Sequence, residues 1–166
     1  ARTLSPHPPF KYEIEGSVQV FPYTPQGFHI DAHKGLGPVF TAYTEKNHQT
    51  GFRVHIEKGQ GTVMVHALHL GDIMENNHIT AEEGTDLTLI FDYTSKGSVR
   101  HHGITRVHAK AGSHVKLVLV QRLEDDSEYF QDVVSTVEGN GVLEMVDVQL
   151  GGCFKAVAYE SHLNGH

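Results

Sequence analysis

Four segments of the chain share one plan: EKGQGTVMVHALHL, EEGTDLTLIFDYTS, KAGSHVKLVLVQRL and EGNGVLEMVDVQLG. Each opens on a charged or small residue and a glycine, then runs into an alternating β-type segment. The glycines are Gly59, Gly84, Gly112 and Gly139, at steps of 25, 28 and 27 residues. Three residues on sit Thr62, Leu87, Val115 and Val142; seven on sit His66, Phe91, Leu119 and Val146. Ile79, Val107 and Val134 stand five residues before the last three glycines. These columns are mostly apolar and β-branched, as stacked strands require. The column five on, Met64, Leu89, Leu117 and Glu144, breaks at Glu144, which predicts a one-residue slip in the last repeat near Gly141.

Each unit holds two β runs, for example LTLIFDYT and ITRVHAK, so one repeat reads as a coil of two strands. A lone coil cannot cover its apolar face or satisfy its strand edges. Coils stacked at about 4.8 Å do both. Glycines suit the tight corners, where φ is positive. The expected fold is therefore all-β: a parallel β-helix, or flattened β-solenoid, of about 25–28 residues per coil. An antiparallel sandwich or barrel of the same strands is the alternative.

The rest of the chain organises around this region. Residues 1–9 (ARTLSPHPP) read as an extended N-terminal arm. Residues 10–166 read as a single β-helical domain, with 10–58 as irregular first coils or a cap and 59–166 as the repeat region. No stretch of ten residues shows a clear helical period, and EDDSEYFQDVV is the one place where a brief helical turn is expected. A length of 166 residues fits one domain with a real core.

Composition narrows the function classes. The formal net charge is −7 and no basic run occurs, which argues against nucleic acid as a partner. One cysteine, Cys153, permits no disulfide framework within the chain. No apolar run approaches the ~20 residues that a membrane span needs, and no charged-then-apolar leader is visible. A cytoplasmic protein without membrane contact is the expectation.

The chain has 14 histidines, four of them in SVRHHGITRVHAKAGSHVKLVLV. Adjacent His101 and His102 face opposite ways on a regular strand, as do His66 and His69. His102 and His108 share a face but lie roughly 20 Å apart. Stacking does not gather them either: His108 aligns with Thr80 and Ser135, and His78 with Arg106 and Val133. No metal ligand set is assigned, and the histidines read as polar residues of strand faces and corners. The competing hypothesis is a small His-rich metal-binding β-barrel protein or metalloenzyme, with His29, His33, His48 and His55 converging on one cavity.

Other constellations are weaker. A lone cysteine such as Cys153 reads as a small buried hydrophobe. Glu124, Asp125, Asp126 and Glu128 read as a solvated turn. GQG and GLG lack the following Lys-Ser/Thr of a phosphate loop, and no G-x-S-x-G occurs. Glu144 and Asp147, the acids of the last repeat, fall on opposite faces, which argues against a glycosidase pair.

Three segments, HITAEEGTDLTLIFDYTS, VRHHGITRVHAKAGSHVKLVLVQRL and VEGNGVLEMVDVQLGG, resemble the SufB/SufD family of iron–sulfur cluster assembly scaffolds. The family's ordered steps appear here as HHGITRV, AKAGSHV, VQRL and VDVQLGG, and YESHLNG is similar to its next coil. The likeness covers residues ~78–165 and is loose over residues 1–77. It implies a right-handed parallel β-helix that pairs with a like β-helix subunit and with an ABC-type ATPase. It implies a non-enzymatic scaffold on which a cluster, as cargo, resides at most transiently. The family's cluster ligands and helical ATPase-docking segment lie C-terminal to the point where this sequence stops, so the resemblance implies a fragment or a shortened relative. Sulfur relay in some SufB members uses a Cys, a Gln-x-Trp and a Lys. Here those positions fall near Tyr93, on Gln121 and Leu123, and near Ser135. Gln121 alone matches, as a candidate cofactor-binding residue, and the chain is more similar to the SufD side of the family.

Overall fold

The computed structural model describes residues 10–16, 20–22, 36 and 38–165. The proposed arm over residues 1–9 lies outside them. The repeat region winds through eight strands: β4 (Gln60–His69), β5 (Ile73–Ala81), β6 (Asp86–Ser95), β7 (Arg100–Ala109), β8 (His114–Arg122), β9 (Glu128–Glu138), β10 (Val142–Gln149) and β11 (Phe154–Asn164). Taken in pairs they make a β-solenoid of about four turns. The first strand of each coil joins one sheet, β4-β6-β8-β10, and the second joins the other, β11-β9-β7-β5. All neighbours in these two runs are parallel, which excludes the antiparallel sandwich or barrel.

Period-two alternation builds the core. Inward columns run Val63–Leu89–Leu117–Met145 and Val65–Phe91–Leu119–Asp147 in the first sheet. Ala81–Ala109–Val137–Leu163 runs through the second. Within the first three coils the apolar members of these columns are buried, Val63, Leu89 and Leu117 completely so. Leu87 does stack on Val115, but their neighbours are Gly61 and Leu143 rather than Thr62 and Val142. Ile79 and Val107 likewise continue to Ser135, not Val134. The slip expected near Gly141 is real, and a second one occurs in the first coil.

The last corner explains the slip near Gly141. Gly84 and Gly112 occupy equivalent left-handed positions, each with φ 66°, and the next equivalent corner residue is Asn140 at φ 58°. Asparagine tolerates this region best among residues with a side chain. Gly139, expected at that corner, sits one place early. The repeat keeps its step of 28 residues by changing the residue type at the turn.

The solenoid begins with elements of a different kind. Strand β1 (Phe10–Gly16) pairs antiparallel with β4, and β2 (Val20–Pro22) pairs antiparallel with β3 (Phe52–Ile56), which then continues parallel into β5. A helix, α1 (Pro38–Asn47), lies against the outer face of the second sheet, where Phe40 packs on His102 and Phe130. Leu36 N donates to the buried Asp132 carboxylate at 2.7 Å on the same face. The helix runs against expectation: it has a proline in its first turn, but Val39 and Tyr43 point to solvent, so no apolar stripe betrays it. EDDSEYFQDVV is no helical turn; it is a corner with Glu124, Asp125 and Asp126 exposed and Ser127 buried, followed by β9.

Candidate functional site

The two ends of the solenoid interior differ chemically. The end near Gly84 and Gly112 is lined by aliphatic residues. The opposite end, where the first sheet hands over to the second, encloses His69, Glu75, Tyr93, His101, Gln121, Tyr129 and Gln131, all with no solvent exposure. Two strand faces place them. His69 and Tyr93 close the inward faces of β4 and β6, whereas Glu75, His101, Tyr129 and Gln131 open those of β5, β7 and β9.

Hydrogen bonds order these groups. Gln131 Nε2 donates to Thr105 Oγ1 at 2.9 Å, so its Oε1 is the acceptor for His101 Nε2–H at 3.0 Å. His101 Nδ1 is then a bare acceptor, filled by His69 Nε2–H at 2.8 Å. Tyr93 Oη donates to Glu75 Oε2 at 2.7 Å. Tyr129 stacks on the His101 ring with centroids 4.8 Å apart. Gly103 makes the arrangement possible. A Cβ there would lie 2.1 Å from Gln131 Oε1 and 2.7 Å from His101 Nε2.

Burial sets the protonation states. It raises the Glu75 carboxyl to about 7 despite hydrogen bonds from Tyr93 and Asn77. It lowers His69 to about 4. Burial, reinforced by neighbouring His69, holds His101 well below its ordinary value. Below about pH 7 the cluster is therefore an uncharged, buried, directional chain of donors and acceptors. His69 Nδ1, Glu75 Oε1 and Tyr129 Oη find no hydrogen-bond partner among the described residues.

The four positions singled out from sequence all face inward, yet they do not form one group. Tyr93 and Gln121 are direct neighbours on β6 and β8. Leu123 is buried just beyond β8, and Ser135 lies at the aliphatic end of β9. Gln121 grips the next corner: Nε2 donates to Gly151 O at 2.9 Å and Oε1 accepts from Gly151 N at 3.0 Å. Cys153 is exposed at the same corner, not buried, because its chain position follows the Gly151-Gly152 turn instead of a strand's inner face. The histidine cluster itself escaped the alignment of columns, since His69 and His101 approach from opposite sheets.

Most of the other histidines among the described residues are outward and paired. His55 meets Glu82 at 2.9 Å, His66 meets Asp92 at 3.0 Å and His108 meets Glu138 at 2.6 Å. His29 and His33 lie outside the described residues. Among the described residues no three His, Cys, Asp or Glu side chains are placed to hold a metal ion.

The family model for "SUF system FeS cluster assembly, SufBD core domain" matches residues 65–166, from the middle of β4 through the last coil. The chain belongs to the SufBD family. No curated protein and no solved structure matches it. As a SufBD protein it takes part in SUF iron–sulfur cluster assembly. Within the SufBD coils, the positions that the sequence resemblance connects with sulfur relay carry a phenol at Tyr93, an amide at Gln121, an alkyl group at Leu123 and a hydroxyl at Ser135. None of these is a thiol or an amine.

Proposed function

We propose that this chain is a non-enzymatic scaffold component of the SUF system, closer to the SufD side of the family, working in the cytoplasm through protein contacts. The observation that carries the reading is the family match laid over the stacked coils from β4 to β11. The lack of a thiol or amine at the interior positions named above favours a supporting subunit over a sulfur carrier. Among the described residues no helix is long and apolar enough to cross a membrane.

The partners are a like β-helix subunit and a SUF-type ABC ATPase. Among the described residues strands β10 and β11 each pair on one side only. Between them a cavity of about 330 Å³ is lined by Leu143, Met145, Asp147, Tyr159 and Ser161. Apolar Leu143 and Met145 in that cavity favour contact with a like apolar surface. In this reading Gln121 holds the last corner in shape for that contact, and an iron–sulfur cluster is cargo. Co-expression with a SUF ABC ATPase and a like SufBD subunit, followed by affinity capture and light scattering, tests it. A stable complex of defined stoichiometry is expected. A chain that stays monomeric and captures neither partner overturns the proposal.

A further inference from the structure

Two hydrogen bonds cross the solenoid interior between its first two coils, and they cross in opposite senses. His69 on β4 of the first coil reaches His101 on β7 of the second. Tyr93 on β6 of the second coil reaches back to Glu75 on β5 of the first. The pair forms an X that ties each sheet of one coil to the opposite sheet of the other. We propose that this crossed pair is an acid-sensitive latch that locks the first coil onto the second.

The chemistry of the histidine arm sets the behaviour. In the closed form His69 donates to His101, and His101 donates to Gln131. A proton on His101 Nδ1 turns both imidazoles into donors at their contact and breaks it. A proton on His69 Nδ1 places a cation in a buried interior. Around this pair stand Glu75 from β5, Tyr93 from β6 and Tyr129 from β9, with Asp147 of β10 and Tyr159 of β11 facing Tyr129 from the last coil. Outward His102 is next to His101 on β7. The nearest carboxyl, Glu75, is 3.9 Å from His101 Nε2, and burial keeps it protonated up to about pH 7, so it supplies no counter-charge in acid.

The linkage follows from these states. The closed coil binds fewer protons at its histidines than an opened coil between about pH 4 and their ordinary value of 6.5, so acidification through that window favours opening. Glu75 works the other way: between its ordinary 4.5 and about 7 the closed coil holds the extra proton. Two histidines outweigh one carboxyl, so closure weakens as pH falls below 6.5. Above 7 the penalty of ionised Glu75 remains.

Hydrogen exchange of the whole chain at pH 5 and pH 7, corrected for intrinsic rates, tests the latch. Peptides from β4 and β5 are expected to lose about tenfold or more of their protection at pH 5 while β8 and β9 keep theirs. Equal protection of β4 and β5 at both pH values overturns the proposal, as does a uniform loss across all four coils. In Glu75→Gln, which still accepts from Tyr93 but cannot ionise, protection of β4 and β5 at pH 8 should exceed that of the parent chain. An unchanged or lower value overturns the role given to Glu75.

Discussion

His69 Nε2 and His101 Nδ1 lie 2.8 Å apart, one imidazole from each sheet, with neither ring touching solvent. Their contact shows how the solenoid uses its interior. Stacking within a sheet is a matter of backbone ladders and like side chains, whereas between the sheets the apolar packing of one core, Phe52 on Phe91 included, is joined at one end by individual polar pairs.

The Tyr93 hydroxyl is the simplest of these to remove. Tyr93→Phe keeps the ring, which stacks on Phe91 with centroids 5.7 Å apart, but strips Glu75 of a hydrogen bond. An expected loss of about 1–3 kcal/mol in urea denaturation follows from leaving a buried partner unsatisfied. The loss should grow as pH rises past 7, because the Glu75 carboxyl that then ionises has lost its donor.

Gly103 tests the packing of the same cluster. Gly103→Ala drives a methyl into Gln131 Oε1 and His101 Nε2. Gln131 must swing away, and its bonds to His101 and Thr105 go with it. A destabilisation of about 2–4 kcal/mol is expected, from overpacking together with lost hydrogen bonds. Thermal and chemical denaturation both measure it.

Gln121 offers a graded series. Gln121→Ala leaves the buried Gly151 N–H and C=O without the amide that now clamps them, at about 2–3 kcal/mol. Gln121→Asn, one methylene shorter, should recover little of that, since both bonds depend on reach. Proteolysis at the Leu150–Phe154 corner should accelerate in both variants relative to the parent.

Much of the architecture could be read from residues. The coil length, the two strands per coil, the Leu87–Val115 stack and the slip near Gly141 all follow from period-two alternation and glycine spacing, since these are backbone properties. The corner at Asn140 was hidden because asparagine replaces the glycine that marked the others. Helix α1 was hidden because Val39, 82% exposed, and Tyr43 spread its apolar residues around the barrel of the helix. The histidine pair was hidden for a deeper reason. Column alignment brings together residues of one sheet, and the distance across the interior depends on how far the corners fold the second sheet over the first. Gln121 was found as a matching residue, but its grip on Gly151 belongs to a corner that no periodicity describes.

The corner asparagine gives a prediction of its own. Asn140→Gly should be neutral or slightly stabilising, whereas Asn140→Val forces a β-branched residue to φ near 58° and should cost about 1–2 kcal/mol. Denaturation midpoints of the two variants separate a left-handed corner from an ordinary turn.

The central claim, that successive coils lie one on another in parallel register, is tested most directly by spin labels on the outer face of the first sheet. Thr88, Lys116 and Glu144 form one column, a rung apart at each step. In a Cys153→Ser background, labels at Thr88→Cys and Glu144→Cys should sit over Cα atoms roughly 10 Å apart. Strong dipolar broadening in the frozen spectrum is the predicted result, stronger still for the adjacent pair Lys116→Cys and Glu144→Cys. Sharp, unbroadened spectra for both pairs would contradict the stacked solenoid and everything built on it.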